Sequence, residues 1–246
     1  MLSKPLAKYI QSLHHKKNRD AENAFIAEGD KVVMDLLQQK NTRCQQVLAT
    51  SAWLTKNGTL LQEIYSGEVI VLKDFEPEKI SALHTAPQVL AVIHKYAPQP
   101  VLTRGSITLV LDDIQDPGNL GTIIRTADWF GISNIVCSLQ TADRYNPKVV
   151  QGTMGSIARV NMLYTALQEW LQQQQVPIYT TALNGTDIRS LQPVHEAILV
   201  IGNESKGVSS NILQLAKQII TIPKTGGAES LNAAVATGIA LYHLTR

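Results

Sequence analysis

Cysteine is scarce in this chain of 246 residues, which contains only Cys44 and Cys137. Each lies in an apolar run typical of a strand, so both are predicted to be small buried side chains rather than parts of a disulfide framework. No apolar run approaches the roughly 20 residues needed to cross a bilayer, and the amino terminus lacks the uninterrupted apolar segment of a secretory signal. These absences predict a soluble, cytoplasmic protein in a reducing compartment.

A marked excess of one charge is also absent, since 22 Lys and Arg oppose 20 Asp and Glu, for a net charge of +2. The distribution is uneven, however. Acidic residues are missing before Asp20, between Glu78 and Asp112, and between Asp143 and Glu169. These acid-free segments carry basic residues that include Lys4, Lys8, Lys16, Lys17, Arg19, Lys79, Lys95, Arg104, Arg144, Lys148 and Arg159. They would suit a path of RNA phosphates, although ordinary solvated faces explain each segment about equally well.

Common cofactor motifs are missing as well. The run GNESKG at 202–207 has the glycine spacing of a phosphate-binding loop, but Val208 and Ser209 follow where that loop requires Lys and then Ser or Thr. No G-x-G-x-x-G follows a predicted strand, and no HExxH motif or cysteine pair has metal-ligand spacing. These absences disfavour a nucleoside triphosphate, a nicotinamide or flavin cofactor, and a bound metal.

Strand and helix patterns alternate in both halves of the chain, which is typical of α/β folds. The segment APQPVLTRGS at 97–106 has two prolines, a glycine and little apolar periodicity, so it is the best boundary. We predict a small α/β domain over residues 1–97, a linker over 98–105 and a mostly parallel α/β domain over 106–246. The predicted helices include Pro77–Leu83, Leu163–Gln174 and Glu229–Leu244.

Three predicted strands of the second domain break into polar turns that contain glycine or proline. These turns are DDIQDPGNLG, in which Asn119 opens a helix, GNESKG, and IPKTGGAESLNAA. The carboxyl ends of parallel strands meet at one edge of a sheet, where open α/β folds bind ligands, and glycines let backbone groups approach a flat ligand. Each turn alone is compatible with an ordinary connection in which Ser230 or Asn232 caps a helix. Three such turns together predict a site.

The same segments resemble the three signature motifs of the SpoU (TrmH-type) branch of the SPOUT methyltransferases. The matching runs are NLGTIIRTADWFG, AILVIGNESKG and IITIPKTGGAESLNAAVATGIALYH, and the similarity extends to DRYNPKVVQGTMGSIARV. Together they cover most of residues 107–246. The first hundred residues are similar, less specifically, to an RNA-binding domain that many members carry, through FIAEGDKVVMDLL and the segment around APQVLAVI.

The resemblance implies an α/β fold in which a SPOUT domain with a parallel sheet and a deep trefoil knot follows a small α/β RNA-binding domain. It implies a homodimer that transfers a methyl group from S-adenosylmethionine to a ribose 2′-hydroxyl of RNA, with no metal required. By motif position, the methyl-donor pocket would be lined by Gly202, Ile222 and Leu231. The polar catalytic set around the reacting hydroxyl would be Asn119, Arg125, Glu204, Ser230 and Asn232.

Arg125 matches the family's catalytic arginine, but guanidinium groups hold their proton above pH 12. We therefore expect Arg125 to orient the hydroxyl and to stabilise developing oxyanion and phosphate charge, while an RNA phosphate or water takes the proton. The aromatic residues Tyr9 and Tyr145 are candidates for stacking on RNA bases, although packing is the more frequent role of such residues.

Ribosomal RNA is expected as the substrate in preference to transfer RNA, because amino-terminal domains of this type are more often seen on relatives that act on ribosomal RNA. Two alternatives belong to other classes of protein. A non-catalytic RNA-binding or assembly protein would keep the fold, but the intact polar set argues against it. A nucleotide-dependent oxidoreductase would require fingerprint glycines that this sequence lacks.

Overall fold

The protein is represented by a computed structural model that describes residues 2–245. In chain order, its helices and strands are α1 (Lys4–Ser12), α2 (Lys16–Glu22), β1 (Ala24–Glu28), α3 (Asp30–Leu37), β2 (Cys44–Thr50), α4 (Ser51–Ile64), β3 (Val69–Leu72), β4 (Val89–His94), β5 (Ile107–Asp112), α5 (Pro117–Trp129), β6 (Asn134–Cys137), α6 (Pro147–Thr153), β7 (Asn161–Tyr164), α7 (Leu167–Gln172), β8 (Ile178–Asp187), β9 (Ala197–Gly202), α8 (Ser210–Leu213), β10 (Gln218–Thr221) and α9 (Ala233–Leu244). They form two compact units. The first holds the residues up to Ala97 together with Asp143–Ala158, and the second holds Pro98–Ala142 and the residues from Arg159 onward.

The first unit is built on a four-stranded sheet in the order β1-β4-β2-β3, in which only β2 and β3 are parallel. Successive residues of a strand face opposite sides of a sheet, and β1 buries both of its sides. Phe25 belongs to one core cluster with Val33 of α3 and Trp53 of α4, whereas Ile26 belongs to another cluster with Ile10 of α1. Helices therefore cover both faces of this sheet.

The segment Asp143–Ala158 comes from the middle of the predicted second domain but packs in the first unit. The ring of Tyr145 lies 4.9 Å from that of Phe25, centroid to centroid, and its hydroxyl accepts a hydrogen bond from the Tyr96 amide at 2.8 Å. Arg19, with a side chain 3% exposed, pairs with Asp143 at 2.7 Å. Tyr145 is thus a packing residue. The division into functional domains at residues 97 and 106 stays a prediction.

The second unit contains a six-stranded sheet in the order β10-β8-β9-β5-β6-β7, and all neighbouring strands are parallel. Its central strands β5 and β9 are mostly apolar and are buried on both faces, as is typical of parallel sheets. Val110 and Val200 pack with Leu167 of α7 and Ile212 of α8 in one core cluster. The predicted α/β fold with a parallel sheet is confirmed, whereas the trefoil knot stays a prediction.

The β5–α5 connection is the best predicted part of the fold. Four apolar residues of α5 recur at helical spacing and are fully buried, namely Leu120, Ile123, Ile124 and Ala127. The helix begins two residues before Asn119, at Pro117, because the side chain of Asp116 accepts a hydrogen bond from the Asn119 amide and caps the first turn. Gly131 follows the helix with φ +72°, the left-handed conformation expected of a terminating glycine.

Three predicted helices have other bounds in the structure. Pro77–Leu83 is reduced to a short 3-10 turn at Pro77–Lys79, because Ser81 and Ala82 turn away to donate hydrogen bonds to the buried carboxylate of Glu28. Leu163–Gln174 contains the end of strand β7 before α7 begins. The last helix begins at Ala233 rather than Glu229, since Asn232 caps it.

Two further expectations concern cysteine and membranes. Both cysteines are free, with Cys137 buried and Cys44 half-buried, as their apolar surroundings predict. Among residues 2–245, no helix combines the length and the apolar character needed to cross a lipid bilayer.

Candidate active site

The three polar turns follow β5, β9 and β10 at the carboxyl edge of the parallel sheet. β5 and β9 are neighbours, and Asp112 lies opposite Gly202 at their last paired position. One side chain from each of the three segments, namely Asn119, Glu204 and Asn232, joins a single hydrogen-bonded network. Three of the five predicted polar residues are therefore brought together.

Asn119 is the centre of this network. Its Nδ2 donates to Oε1 of Glu204 at 2.5 Å, and its Oδ1 accepts from Nδ2 of Asn232 at 2.8 Å. A side-chain amide has a donor end and an acceptor end, so these two bonds fix the direction in which it points. Hydrogen bonds to an ionised carboxylate are also stronger than those between neutral groups. The network holds the three motifs in one geometry.

Helix capping fixes the backbone on both sides of the network. Asp116 Oδ1 accepts from the Asn119 amide at 2.7 Å at the start of α5. Oδ1 of Asn232 accepts from the amides of Ala234 and Val235 at 3.0 and 3.3 Å at the start of α9. Asn232 thus caps a helix through its oxygen and contacts Asn119 through its nitrogen. The capping role and the site role that the sequence leaves open are combined in one side chain.

Arg125 and Ser230 are not joined to this network. Arg125 lies on α5 six residues beyond Asn119 and is exposed, and its side chain forms no hydrogen bond or ion pair with another residue in the range 2–245. Helical geometry rotates its direction by about 120° from that of Asn119. Ser230 lies in the exposed loop that follows β10. Both side chains are accessible to a substrate, and their assignment to the site stays a prediction.

The turn Asn203–Gly207 is tight and explains the glycine at position 202. Asn203 and Gly207 exchange backbone hydrogen bonds of 3.1 and 2.8 Å, and Nδ2 of Asn203 donates to the carbonyl of Asp113 at 2.8 Å. A Cβ at Gly202 would lie only 2.3 Å from the carbonyl carbon of Gly207. Position 202 therefore requires glycine for the turn itself, and contact of Gly202 with a methyl donor stays a prediction.

The other two predicted donor-binding residues flank the exposed loop between β10 and α9. Ile222 follows the strand, and Leu231, which is 45% exposed, lies two residues before the helix. From Pro223 to Leu231, the backbone forms no hydrogen bonds with other backbone groups in the described part of the chain. On β8, Leu183 is 69% exposed. Free backbone donors and acceptors beside exposed apolar side chains fit the adenine and ribose of S-adenosylmethionine.

A cavity of about 680 Å³ opens beside the turn Asn203–Gly207. Asp113, Ser138, Asn203 and Lys206 line it, together with residues at the starts of α7 and α8. The sequence marks Asp113 only as a polar residue at a strand end, and it does not single out Ser138 or Asn203. Their convergence depends on the register of β5, β6 and β9, which local sequence does not reveal.

Within residues 2–245, no group of three or more His, Cys, Asp or Glu side chains is arranged to hold a metal ion.

Two family profiles match the chain and together span most of it. Residues 106–242 match the SpoU rRNA methylase family, and residues 4–91 match the MRM3-like substrate-binding domain. The first match covers the strands, turns and helices that build the network of Asn119.

Individual relatives agree with these profiles over nearly the whole chain. The 23S rRNA (guanosine(2553)-2′-O)-methyltransferase RlmP of Bacillus subtilis is 32% identical over 240 residues, which span 95% of this chain and 93% of the relative. A TrmH-family protein from Porphyromonas gingivalis has a solved structure with a TM-score of 0.86 and 35% identity, covering 99% of this chain and 98% of that one. The S-adenosylmethionine-bound rRNA methyltransferase from Sinorhizobium meliloti has a TM-score of 0.86 and 29% identity, covering 99% and 95%. With this fold, this network and these relatives, the chain belongs to the SpoU (TrmH-type) family of SPOUT RNA methyltransferases.

Proposed function

We propose that this protein transfers a methyl group from S-adenosylmethionine to a ribose 2′-hydroxyl of ribosomal RNA. The observation that carries the proposal is the network in which Asn119 joins Glu204 and Asn232, because it connects all three signature motifs at the ligand-binding edge of the sheet. Ribosomal RNA as the substrate is suggested by the Bacillus subtilis 23S rRNA 2′-O-methyltransferase, which matches 95% of this chain.

The methyl donor is assigned to the loop between β10 and α9 and to the end of β9. Gly202, Ile222 and Leu231 would hold it, largely through backbone groups, as the family motifs imply. Bound there, S-adenosylmethionine supplies an electrophilic methyl group on a sulfonium. The S-adenosylmethionine-bound structure of the Sinorhizobium meliloti relative supports S-adenosylmethionine as the methyl donor.

The chain's own residues would act mainly by positioning. The hydrogen bonds of Asn119 hold Glu204 and Asn232 in one arrangement, so the polar set is ordered before RNA arrives. The exposed guanidinium of Arg125 would orient the 2′-hydroxyl and offset the negative charge that develops on its oxygen. The hydroxyl proton would pass to an RNA phosphate or to water, and the exposed Ser230 would complete the polar set.

The amino-terminal domain would bind the RNA substrate. The substrate-binding profile over residues 4–91 supports this role, and so do the basic residues on α1 and α2, of which Lys4, Lys8 and Lys17 are exposed. We retain residues 1–97 and 106–246 as the functional domains, with 98–105 as the linker. The cellular location consistent with this substrate is the cytoplasm.

A homodimer is part of the proposal. Helix α9 is apolar around its whole circumference, and Val235, Ile239 and Tyr242 are 51%, 39% and 59% exposed at helical spacing. Trp129 of α5, the helix that packs against α9, is 85% exposed. Exposed apolar surface of this kind usually marks an interaction site. Because members of the family act as homodimers, we assign this face to a second copy of the chain.

The test compares 2′-O-methylation across ribosomal RNA from a deletion strain and its parent. One methylated position should be lost on deletion and restored by the wild-type gene, but not by Arg125→Lys, which keeps the charge and loses the two-pronged guanidinium. Arg189→Lys, at an exposed arginine of the same unit, is the matched control and should restore the position. Transfer should persist in a metal chelator. An unchanged methylation map, with no binding of S-adenosylmethionine at millimolar concentration, would overturn the proposal.

A further inference from the structure

We propose that the cavity beside the turn Asn203–Gly207 receives one unpaired nucleobase of the RNA and selects bases that carry an exocyclic amino group. This inference rests on the proposed function, because it takes RNA as the substrate. None of the three residues in the Asn119 network lines this cavity, and neither do the residues assigned to the methyl donor.

The cavity has the size and the lining of a nucleoside-scale site. Its volume of about 680 Å³ lies within the range of small-molecule pockets. The lining combines carboxylate, amide and hydroxyl groups with an apolar side chain, Leu139, that is 64% exposed. The side chains of Gln140, Glu169 and Ser210 form no hydrogen bonds with other described residues, so donors and acceptors are available to a ligand.

Two other occupants, an RNA phosphate and a metal cation, fit the lining less well. Three carboxylates, those of Asp112, Asp113 and Glu169, face one lysine, Lys206, which disfavours an RNA phosphate. A cation would need several convergent ligands, and residues 2–245 contain no group of three acidic, histidine or cysteine side chains arranged for one. A nucleobase is neutral, offers both donors and acceptors, and has a flat face that an exposed apolar side chain can cover.

Asp113 is the residue expected to read the base. Its side chain is 22% exposed, lies 3.8 Å from the ammonium of Lys206, and accepts a hydrogen bond from Nε2 of Gln115 at 2.9 Å. A carboxylate has about four acceptor positions, so others remain for a base. The carboxylate of Asp112, in contrast, is buried and accepts two hydrogen bonds from Ser209. The backbone of Asp113 is fixed by Ser138 and Asn203, which contact its amide and its carbonyl at 3.0 and 2.8 Å. A carboxylate accepts hydrogen bonds from the exocyclic amino group of cytosine, adenine or guanine and has none to donate. Uracil offers only N3–H, which lies between two carbonyl oxygens that a carboxylate repels, so Asp113 favours the three amino-bearing bases over uracil.

The cavity adjoins the proposed ribose site through a single turn. Asn203, which holds Asp113, is followed directly by Glu204, which holds Asn119. The same turn therefore contacts both the residue expected to read the base and the polar set. We assign the cavity to the base of the methylated nucleotide or of its immediate neighbour, taken out of the stack as enzymes acting on nucleotides commonly require.

The test measures base preference with ten-nucleotide homopolymers, oligo(C), oligo(A) and oligo(U), binding to the full chain saturated with S-adenosylhomocysteine. Fluorescence anisotropy at one fixed salt concentration gives the dissociation constants. Wild type should bind oligo(C) and oligo(A) more tightly than oligo(U). Asp113→Asn should weaken oligo(C) binding about tenfold and change oligo(U) binding less than about twofold, because asparagine tolerates the left-handed backbone at φ +61° but lacks the charge. The control Glu196→Gln removes an exposed carboxylate that precedes β9, and it should retain the preference.

Two further measurements separate the possible failures. Calorimetric binding of S-adenosylmethionine to each variant tests the proposed function, and its absence in wild type would refute that function rather than the base site. Normal binding together with an identical base preference in wild type and Asp113→Asn would overturn the base site. If circular dichroism shows that Asp113→Asn does not fold, the variant Leu139→Ser tests the base site instead. That change removes an exposed apolar contact and should weaken all three oligonucleotides, so unchanged affinities would count against the cavity.

Discussion

Replacing Asn119 with Asp tests the centre of the active-site network with a nearly isosteric change. The substitution turns the Nδ2 donor into an oxygen, and this oxygen would face Oε1 of Glu204, which Nδ2 contacts at 2.5 Å. Two carboxyl groups in this position cannot both be ionised without strong repulsion, so one of them takes up a proton. The protonated form restores a donor between residues 119 and 204.

The size of the effect follows from the two interactions that change. Losing a hydrogen bond to a charged group costs about 1.5–3 kcal/mol, which corresponds to about 10- to 150-fold in rate if the bond is needed in the transition state. Repulsion between like charges near the surface is about 4 kcal/mol at 4 Å. This repulsion raises the pKa of one carboxyl in the variant above its ordinary range.

The assay is the kcat for methyl transfer between pH 6 and pH 9. Asn119→Asp should approach wild-type activity at pH 6 and fall below it by about 10- to 150-fold at pH 9. Asn119→Ala, which has no group to protonate, should be impaired equally at every pH. Asn57→Asp, at a helix position where the amide bonds to the Trp53 carbonyl, is a matched control and should follow wild type. A profile for Asn119→Asp that runs parallel to wild type would refute the role of this hydrogen bond.

Four other predictions follow from the packing and the chemistry of the chain. Gly202→Ala should lower the Tm by about 5 °C and weaken binding of S-adenosylmethionine, because the new Cβ would meet backbone at 2.3 Å; normal binding in calorimetry would contradict this. Arg19→Met should lower the free energy of unfolding by about 3 kcal/mol in chemical denaturation, because it removes a buried guanidinium from the half-buried carboxylate of Asp143 and from two backbone carbonyls, whereas Arg189→Met at an exposed ion pair should have no measurable effect. Burial raises the pKa of Cys44 to about 11, so its labelling by a thiol reagent at pH 8 should be about 100-fold slower than in the unfolded chain; comparable rates would exclude that environment. Ile239→Glu places a charge on the apolar face of α9 and should give a monomer in light scattering, and a persistent dimer would place the interface elsewhere.

Local patterns in the sequence predict much of this fold and part of the site. The β5–α5 connection is predictable because its apolar spacing, capping residues and terminal glycine all act within a few residues. The same holds for Asn119, Glu204 and Asn232, which the family motifs mark and the structure joins. The sequence offers a capping role and a site role for Asn232 as alternatives. Only the orientation of its side-chain amide shows that it has both roles.

Local sequence patterns do not predict features that depend on residues far away in the sequence. The predicted helix at Pro77–Leu83 fails because Glu28, far away in the sequence, captures Ser81 and Ala82. The cavity lining is equally non-local, since Asp113, Ser138 and Asn203 meet only through the order of the strands. The segment Asp143–Ala158 packs in the first unit because it contacts buried partners there, such as Arg19.

The packing of Asp143–Ala158 in the first unit affects how the protein folds during its synthesis. The first unit cannot complete its core when Ala97 leaves the ribosome, because Tyr145, Val150 and Ile157 of the same cluster have not yet been translated. Since domains generally fold as units during synthesis, the first unit must wait with Phe25 and its neighbours uncovered until residue 158 has emerged. During that interval the second unit has only β5, α5, β6 and the residues up to Ala142 available to it. Chaperone binding to nascent chains is therefore expected to peak between these two lengths.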